Sequence, residues 1–407
     1  MFLSLGVIFV LGIIGGMIFE KIHLPKIVFY TILGILLGPS VLGFLNEDLL
    51  AISSYLRQIA LMIILTRSGL SLNIKKLKEI GRPAILMCFL PATFEIIGVV
   101  IFGPLLLGIS YFEALLLGSV LGAVSPAIVV PRMIKLQNEG YGDKNHVPEL
   151  IMAGSSCDDI YVITLFYAFK GLVATNTFDY WILLEIPTSI IFGVILGVSF
   201  GIILIFSFKK IKLPLIIKVI LVFGSGLIML GIENIFTVYN ISTNYHIGIS
   251  SLLGIIVLGI ILLKYMPSEA NLIKKSYDSM WNGFEILLFT LVGAIVDVKY
   301  AFSSTGGIFV GLILLALIFR SLGVIISISF TKYSFKEKVF IIMSYLPKAT
   351  VQASIGGIAL SEGLACGTMI LTGAVISILI TAPIGAILMD STYKSLLDKS
   401  IILNSRE

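Results

Sequence analysis

Two aspartates stand side by side within an apolar run. Asp158 and Asp159 fall inside Leu150–Phe169, a stretch long enough to cross a bilayer as a helix. A carboxylate at mid-membrane is costly, and two adjacent ones repel each other. Such a pair persists where it binds a cation, carries a proton, or does both. Adjacent helix positions point about 100° apart, so one carboxylate can face a cavity while the other meets a neighbouring helix.

Other charges fall at similar depth. Lys348 follows Pro347; its ammonium can pair with one aspartate or compensate the dipoles of an interrupted helix. Glu95 and Arg320 occupy corresponding segments of the two halves of the chain and are expected to pair as a buried structural ion pair. Glu285 has no evident basic partner in the sequence and is a possible extra carboxylate, either protonated or facing a crevice. Arg57, Arg67 and Lys218 lie near segment ends, where they are expected to snorkel to the interface. His23, His146 and His246 are isolated near loops, which favours interfacial roles over metal binding. Cys88, Cys157 and Cys366 are an odd, sparse set beside apolar runs, which argues against a disulfide framework or a metal cluster.

The elements that must hold these residues are membrane helices. The chain has 407 residues, of which 58% are hydrophobic and 13% charged, more apolar surface than a soluble protein of this size needs. Apolar runs without period-2 alternation exclude a membrane β-barrel and predict an all-α polytopic membrane protein of about 13 spans. Their limits are near 2–20, 26–44, 52–70, 83–107, 111–134, 148–170, 182–208, 213–234, 246–264, 278–298, 306–331, 338–360 and 367–390. The first lacks a basic leader and a small-residue cleavage site and reads as a retained span. Basic residues cluster in loops after odd spans, for example Lys75, Lys76, Lys78 and Arg82, then Lys209, Lys210 and Lys212, and finally Lys394, Lys399 and Arg406. Loops after even spans hold only Lys170 and Lys299. The positive-inside rule places the N-terminus outside and the C-terminus in the cytoplasm. The net charge of +5 follows this topology and is no sign of nucleic-acid binding.

Two spans are interrupted by proline. One reads Ala123-Val-Ser125-Pro126, the other Leu346-Pro347-Lys348-Ala-Thr350. A proline within a helix removes a hydrogen bond and displaces a carbonyl, tolerated at membrane depth only where the backbone is buried in protein or lines a wet cavity. The breaks lie seven spans apart, so the two helices run in opposite directions, as in inverted repeats of spans 1–6 and 8–13 joined by span 7. Discontinuous helices at matching positions point to a transporter's substrate site.

These residues resemble the cation/proton antiporter superfamily, most nearly the sodium/hydrogen exchanger B (NHA) branch. Gly34-Ile-Leu-Leu-Gly-Pro-Ser-Val-Leu-Gly43 looks like its early glycine-proline motif, and Gly122-Ala-Val-Ser-Pro-Ala-Ile-Val-Val-Pro131 like its first broken helix. Gly154-Ser-Ser-Cys-Asp-Asp159 is similar to its aspartate-pair motif, with Cys157 in place of the usual phenylalanine. Leu346-Pro-Lys-Ala-Thr-Val-Gln-Ala353 looks like its second broken helix, and Ile380-Thr-Ala-Pro-Ile-Gly385 like its last span. Glu285 stands where animal members tend to carry glutamine.

The resemblance implies an inverted-repeat sodium/proton antiporter fold with two broken crossing helices, in a homodimer. It implies a partition into residues 1–80 and 211–300 as scaffold and dimer helices, 81–172 and 301–391 as core helices, 173–210 as a connector and 392–407 as a short cytoplasmic tail. Asp159 matches the main cation- and proton-binding carboxylate. Asp158 matches a companion able to pair with Lys348, while Glu95 and Arg320 match positions proposed to pair. Ser125 and Thr350, beside Pro126 and Pro347, are expected to add oxygen ligands. The expected activity is antiport of Na+ or Li+ against protons, with Asp158 and Asp159 holding the ion, across the plasma membrane. No cofactor, enzymatic activity or nucleic-acid partner is expected. The alternative is a sodium-coupled organic anion transporter of similar architecture. An intramembrane aspartyl protease would need carboxylates from separate helices, and a channel would pass voltage-driven flux without a counter-ion.

Overall fold

The computed structural model describes residues 1–72, 80–175, 180–243 and 248–399. Lys75, Lys76, Lys78, His246 and Arg406 lie outside the described residues. The described residues are helical almost throughout. In chain order the helices are α1 (Phe2–Lys21), α2 (Lys26–Leu37), α3 (Glu47–Ala51), α4 (Ser53–Gly69), α5 (Arg82–Met87), α6 (Leu90–Leu107), α7 (Tyr111–Leu121) and α8 (Pro126–Glu139). Then come α9 (Val147–Thr175), α10 (Tyr180–Lys210), α11 (Leu215–Thr243), α12 (Ser251–Tyr265), α13 (Pro267–Ala294) and α14 (Val298–Ala301). The last are α15 (Ser304–Ser327), α16 (Phe335–Ser344), α17 (Thr350–Ile355), α18 (Ile358–Ser361) and α19 (Gly367–Leu396).

Each expected apolar segment carries helix. Among the described residues, eight helical stretches are long and apolar enough to cross a membrane, with Lys26–Leu37 and Ser251–Tyr265 as shorter apolar helices. Local chemistry sets several ends. Ser110 and Glu113 form a reciprocal capping box that starts α7, and Ser334 and Glu337 do the same for α16. Gly108, at φ +67°, closes α6 in the left-handed conformation that glycine adopts without a Cβ penalty.

By packing, the chain divides into two compact units. One comprises Met1–Leu50, Asn73–Ile163 and Phe289–Glu407; the other comprises Ala51–Leu72 and Thr164–Leu288. In the second unit, the basic residues expected to snorkel find protein partners instead. Arg67 pairs with Asp278, Lys218 Nζ lies 2.8 Å from Glu269, and Arg57 Nε donates to the Ser53 carbonyl at 3.3 Å. The partners of Arg67 and Lys218 come from distant segments, so sequence distance from a span end gave no hint of them, whereas Arg57 bonds back one turn within its own helix.

The first unit holds both interrupted helices. Residues 122–125 separate α7 from α8, and residues 345–349 separate α16 from α17. Pro126 opens α8, where its missing N–H leaves no bond unmade. Helix α6 lies against α7 on one side and α15 on the other, and small residues permit the approach. A Cβ on Gly118 would meet Ile96 Cα at 3.1 Å, and one on Gly98 would meet the Phe319 ring at 3.0 Å. This packing turns Glu95 of α6 and Arg320 of α15 toward each other. Helix α19 supports the second interruption: Gly385 is pressed against the Pro347 ring, and Thr381 Oγ1 accepts the Lys348 N–H at 2.9 Å. The far end of α19 is tied to the stretch that includes α8. Arg132 forks onto Asp390 at 3.0–3.2 Å, and the Gly142 N–H donates to the Asp398 carbonyl at 2.9 Å.

Two glycines on α15 separate packing from propensity. A Cβ on Gly323 would meet the Leu90 carbonyl oxygen and Pro91 Cα at 2.8 Å, whereas one on Gly311 meets nothing within 4 Å. Gly323→Ala is expected to destabilise by about 1–3 kcal/mol through overpacking. Gly311→Ala is expected to be neutral or to stabilise by up to about 1 kcal/mol through helix propensity. Thermal unfolding of the two variants in detergent tests this, and equal melting temperatures would remove the close α6–α15 contact from the account.

Candidate functional site

The interruptions create the problem that the site solves. Helix α7 ends at Leu121 deep in the first unit, so its last carbonyls lack intrahelical partners. Buried side chains supply the donors. Gln352 Nε2 donates to the carbonyls of Val120 at 3.1 Å and Ala123 at 2.9 Å, and Lys348 Nζ donates to Leu121. Arg320 donates to the Gly122 carbonyl, and its Nε reaches the Tyr345 carbonyl, at the end of α16, at 2.6 Å. Two cations at the carbonyl end of a half-helix also oppose its dipole. The interruptions touch directly as well, through the Ser125 N–H and the Pro347 carbonyl at 2.8 Å. The Ser125 and Thr350 hydroxyls lie 3.5 Å apart beside that crossing.

The same two cations bind the acids. Arg320 Nη1 lies 2.8 Å from Glu95 Oε2, and Nη2 lies 2.9 Å from Asp158 Oδ2. Lys348 Nζ lies 2.6 Å from Glu95 Oε1. Asp158 Oδ2 also accepts the Val124 N–H of the first interruption at 2.9 Å. The guanidinium carbon lies over the Tyr345 ring, 5.6 Å from its centroid. Glu95, Asp158, Arg320 and Lys348 are fully buried.

Sequence reasoning placed these residues near one another but assigned one partner differently. Glu95 and Arg320 do meet. Lys348, expected to pair with an aspartate or to compensate an interrupted helix, does the second: it sits on Glu95 and on the Leu121 carbonyl at the end of α7, and the cation on Asp158 is Arg320. The cause is reach: Lys348 projects from the second interruption toward the end of α7, where Glu95 arrives from α6, while the forked guanidinium spans both acids. Gln352 was quoted in the motif without a role. Its signal was an amide close after a helix break, where bare carbonyls need donors. Glu285 lies in the second compact unit and accepts a hydrogen bond from Trp281 Nε1 at 3.3 Å.

Asp159 differs from its neighbour. It is 2% exposed, forms no ion pair among the described residues, and its Oδ1 is buried without a hydrogen-bond partner. Counted as charges, Glu95 and Asp158 are balanced by Arg320 and Lys348, and Asp159 is the acid left over. A buried carboxylate in that position demands a neutralising cation or proton.

Comparison with known proteins gives the arrangement a context. A family model described as "Sodium/hydrogen exchanger, transmembrane" matches residues 6–390. The chain is 34% identical to human sodium/hydrogen exchanger 9B2 over 413 residues, covering 97% of this chain and 74% of that protein. It is 35% identical to human sodium/hydrogen exchanger 9B1 over 400 residues, covering 95% and 76%. Its fold matches the sodium proton antiporter MjNhaP1 from Methanocaldococcus jannaschii with a TM-score of 0.78 at 20% identity, covering 96% of this chain and 95% of that one.

Because Arg320 serves Glu95, Asp158 and two carbonyls, replacing it with another cation is not conservative. Arg320→Lys is expected to cost about 3–5 kcal/mol, since it strips a buried acid of its partner. The double reversal Glu95→Arg with Arg320→Glu is expected to rescue neither single reversal, because a glutamate at 320 faces Asp158. Thermal unfolding of the purified variants reads both, and a wild-type melting temperature for Arg320→Lys would refute the shared-guanidinium arrangement.

Proposed function

The chain belongs to the transmembrane sodium/hydrogen exchanger family, and from that premise we propose that it exchanges a small alkali cation, Na+ or Li+, for protons across the membrane it spans. Proteins of this family are multi-pass transporters rather than enzymes, and the ions they move are substrates rather than cofactors. The observation that carries the proposal is the unmatched Asp159 beside a charge-balanced network.

Asp159 is the carrier carboxylate. A hard alkali ion prefers oxygen ligands. Asp159 supplies them, with Asp158 as the companion acid and Ser125 and Thr350 as hydroxyl and carbonyl donors from the interrupted helices. Na+ and H+ compete because each cancels the same buried charge. With either bound, the core is neutral and can cross the low-dielectric barrier; with neither, the bare carboxylate is penalised. That rule couples the two fluxes. Glu95, Arg320, Lys348 and Gln352 hold the interrupted backbone and Asp158 in place, so that the unmatched charge is confined to Asp159.

The reading extends to the whole molecule. The chain crosses the membrane about thirteen times, works as a homodimer in the plasma membrane, and places its N-terminus outside and its C-terminus in the cytoplasm. Residues 81–172 and 301–391 move as a core against a scaffold of residues 1–80 and 211–300, with 173–210 as connector. The structural match to the archaeal antiporter, with a TM-score of 0.78, supports the fold. A sodium-coupled organic anion transporter is not favoured, because the relatives are sodium/hydrogen exchangers.

Two measurements test the proposal. In proteoliposomes with a trapped pH dye, Asp159→Asn is expected to abolish Na+- and Li+-driven proton movement while the protein still purifies as a folded species; full exchange by this variant would overturn the assignment. In wild type, the apparent KM for Na+ is expected to rise as pH falls, approaching about ten-fold per pH unit where one proton competes with one cation. An apparent KM independent of pH would rule out a shared site.

A further inference from the structure

Cys157 precedes Asp158 on α9, and Cys88 occupies the interruption between α5 and α6. Contacts on either side set the register of these two segments. A Cβ on Gly154 would meet Met87 Cβ at 2.9 Å. One turn further on, the rings of Phe89 and Tyr161 lie 6.1 Å apart, and the Thr93 and Tyr161 hydroxyls are 2.8 Å apart. Gly154, Cys157 and Tyr161 stand at i, i+3 and i+7, on one face of the helix. Met87, Cys88 and Phe89 therefore run alongside Gly154, Cys157 and Tyr161 in order, which sets the two cysteines across from each other, with the Cys88 thiol donating to the Ala84 carbonyl at 3.1 Å. Both are free and partly exposed, whereas Cys366 is buried elsewhere in the sequence order.

We propose that Cys88 and Cys157 form an oxidant-sensitive thiol pair, a modification site whose closure to a disulfide slows exchange. A thiolate from one cysteine attacks the other sulfur once an oxidant has activated it. Two thiols lose two protons and two electrons, and one S–S bond forms. The oxidant class is an azo compound or a peroxide; diamide takes up both protons and both electrons to become a hydrazine. The bond, about 2.05 Å long, draws the α5–α6 junction onto α9. Helix α6 carries Glu95 and α9 carries Asp158, and both acids share Arg320. The link thus tethers two walls of the site at a point one residue from Asp158. Intracellular disulfides of this kind act as reversible sensors rather than as structural staples.

The effect on rate rests on the exchange proposed above; the cross-link itself does not. The test uses the full chain in proteoliposomes, treated with diamide, then read by non-reducing peptide mass spectrometry and by Na+-driven proton flux. The expected result is a peptide joining Cys88 to Cys157, a rate about ten-fold lower, and recovery with dithiothreitol. Cys88→Ser and Cys157→Ser are expected to be insensitive to diamide, and Cys366→Ser to be as sensitive as wild type. Absence of the joined peptide, undiminished flux in the joined protein, or inhibition that persists in Cys88→Ser would each overturn the proposal. Absence of flux from the reduced wild type would instead count against the exchange reading, with the joined peptide still deciding the thiol pair.

Discussion

The arrangement depends on one constraint: backbone that leaves the helix inside a membrane protein must be given donors for its carbonyls. Arg320 meets that need and balances acid charge in the same act. Its fixed fork reaches Glu95, Asp158 and the carbonyls of Gly122 and Tyr345. Lys348 repeats the dual role at lower valence, on Glu95 and Leu121. Neither cation is tolerable at such depth alone, and neither interruption is tolerable bare. Each makes the other possible, which is why the charged residues and the prolines occur together.

That coupling also separates the two adjacent aspartates. Asp158 is committed: one oxygen is held by Arg320 and by the Val124 N–H. Asp159, about 100° around the helix, has none of those partners. The same chemistry in neighbouring positions thereby takes two environments, one holding Arg320 and the Val124 N–H and one left without those partners. Like charges so close would otherwise compete for the same proton, and assigning a fixed cation to one relieves that competition.

Much of this was legible in the chain. The length of the apolar runs gave the helices, Pro126 and Pro347 gave the interruptions, and the rarity of intramembrane charge singled out Glu95, Asp158, Asp159, Arg320 and Lys348. Partner choice was not legible. Whether Lys348 meets Glu95 or Asp158 depends on the rotation of α6 and α9 and on the angle at which the interruptions cross, and spacing along the sequence encodes neither. The ion pairs of Arg67 and Lys218 escaped for the same reason, as their partners Asp278 and Glu269 lie far along the chain. Gln352 escaped because its task, feeding three-dimensional neighbours from one amide, exists only once the crossing is built.

The bond from the Ser125 amide to the Pro347 carbonyl joins main chain to main chain. It is therefore indifferent to side-chain identity and cannot be titrated away by either ion. Any stroke that turned the proposed carrier, Asp159, from one aqueous compartment to the other would have to carry both crossing segments as a single rigid strut, or else break this strut where the backbone is buried in protein.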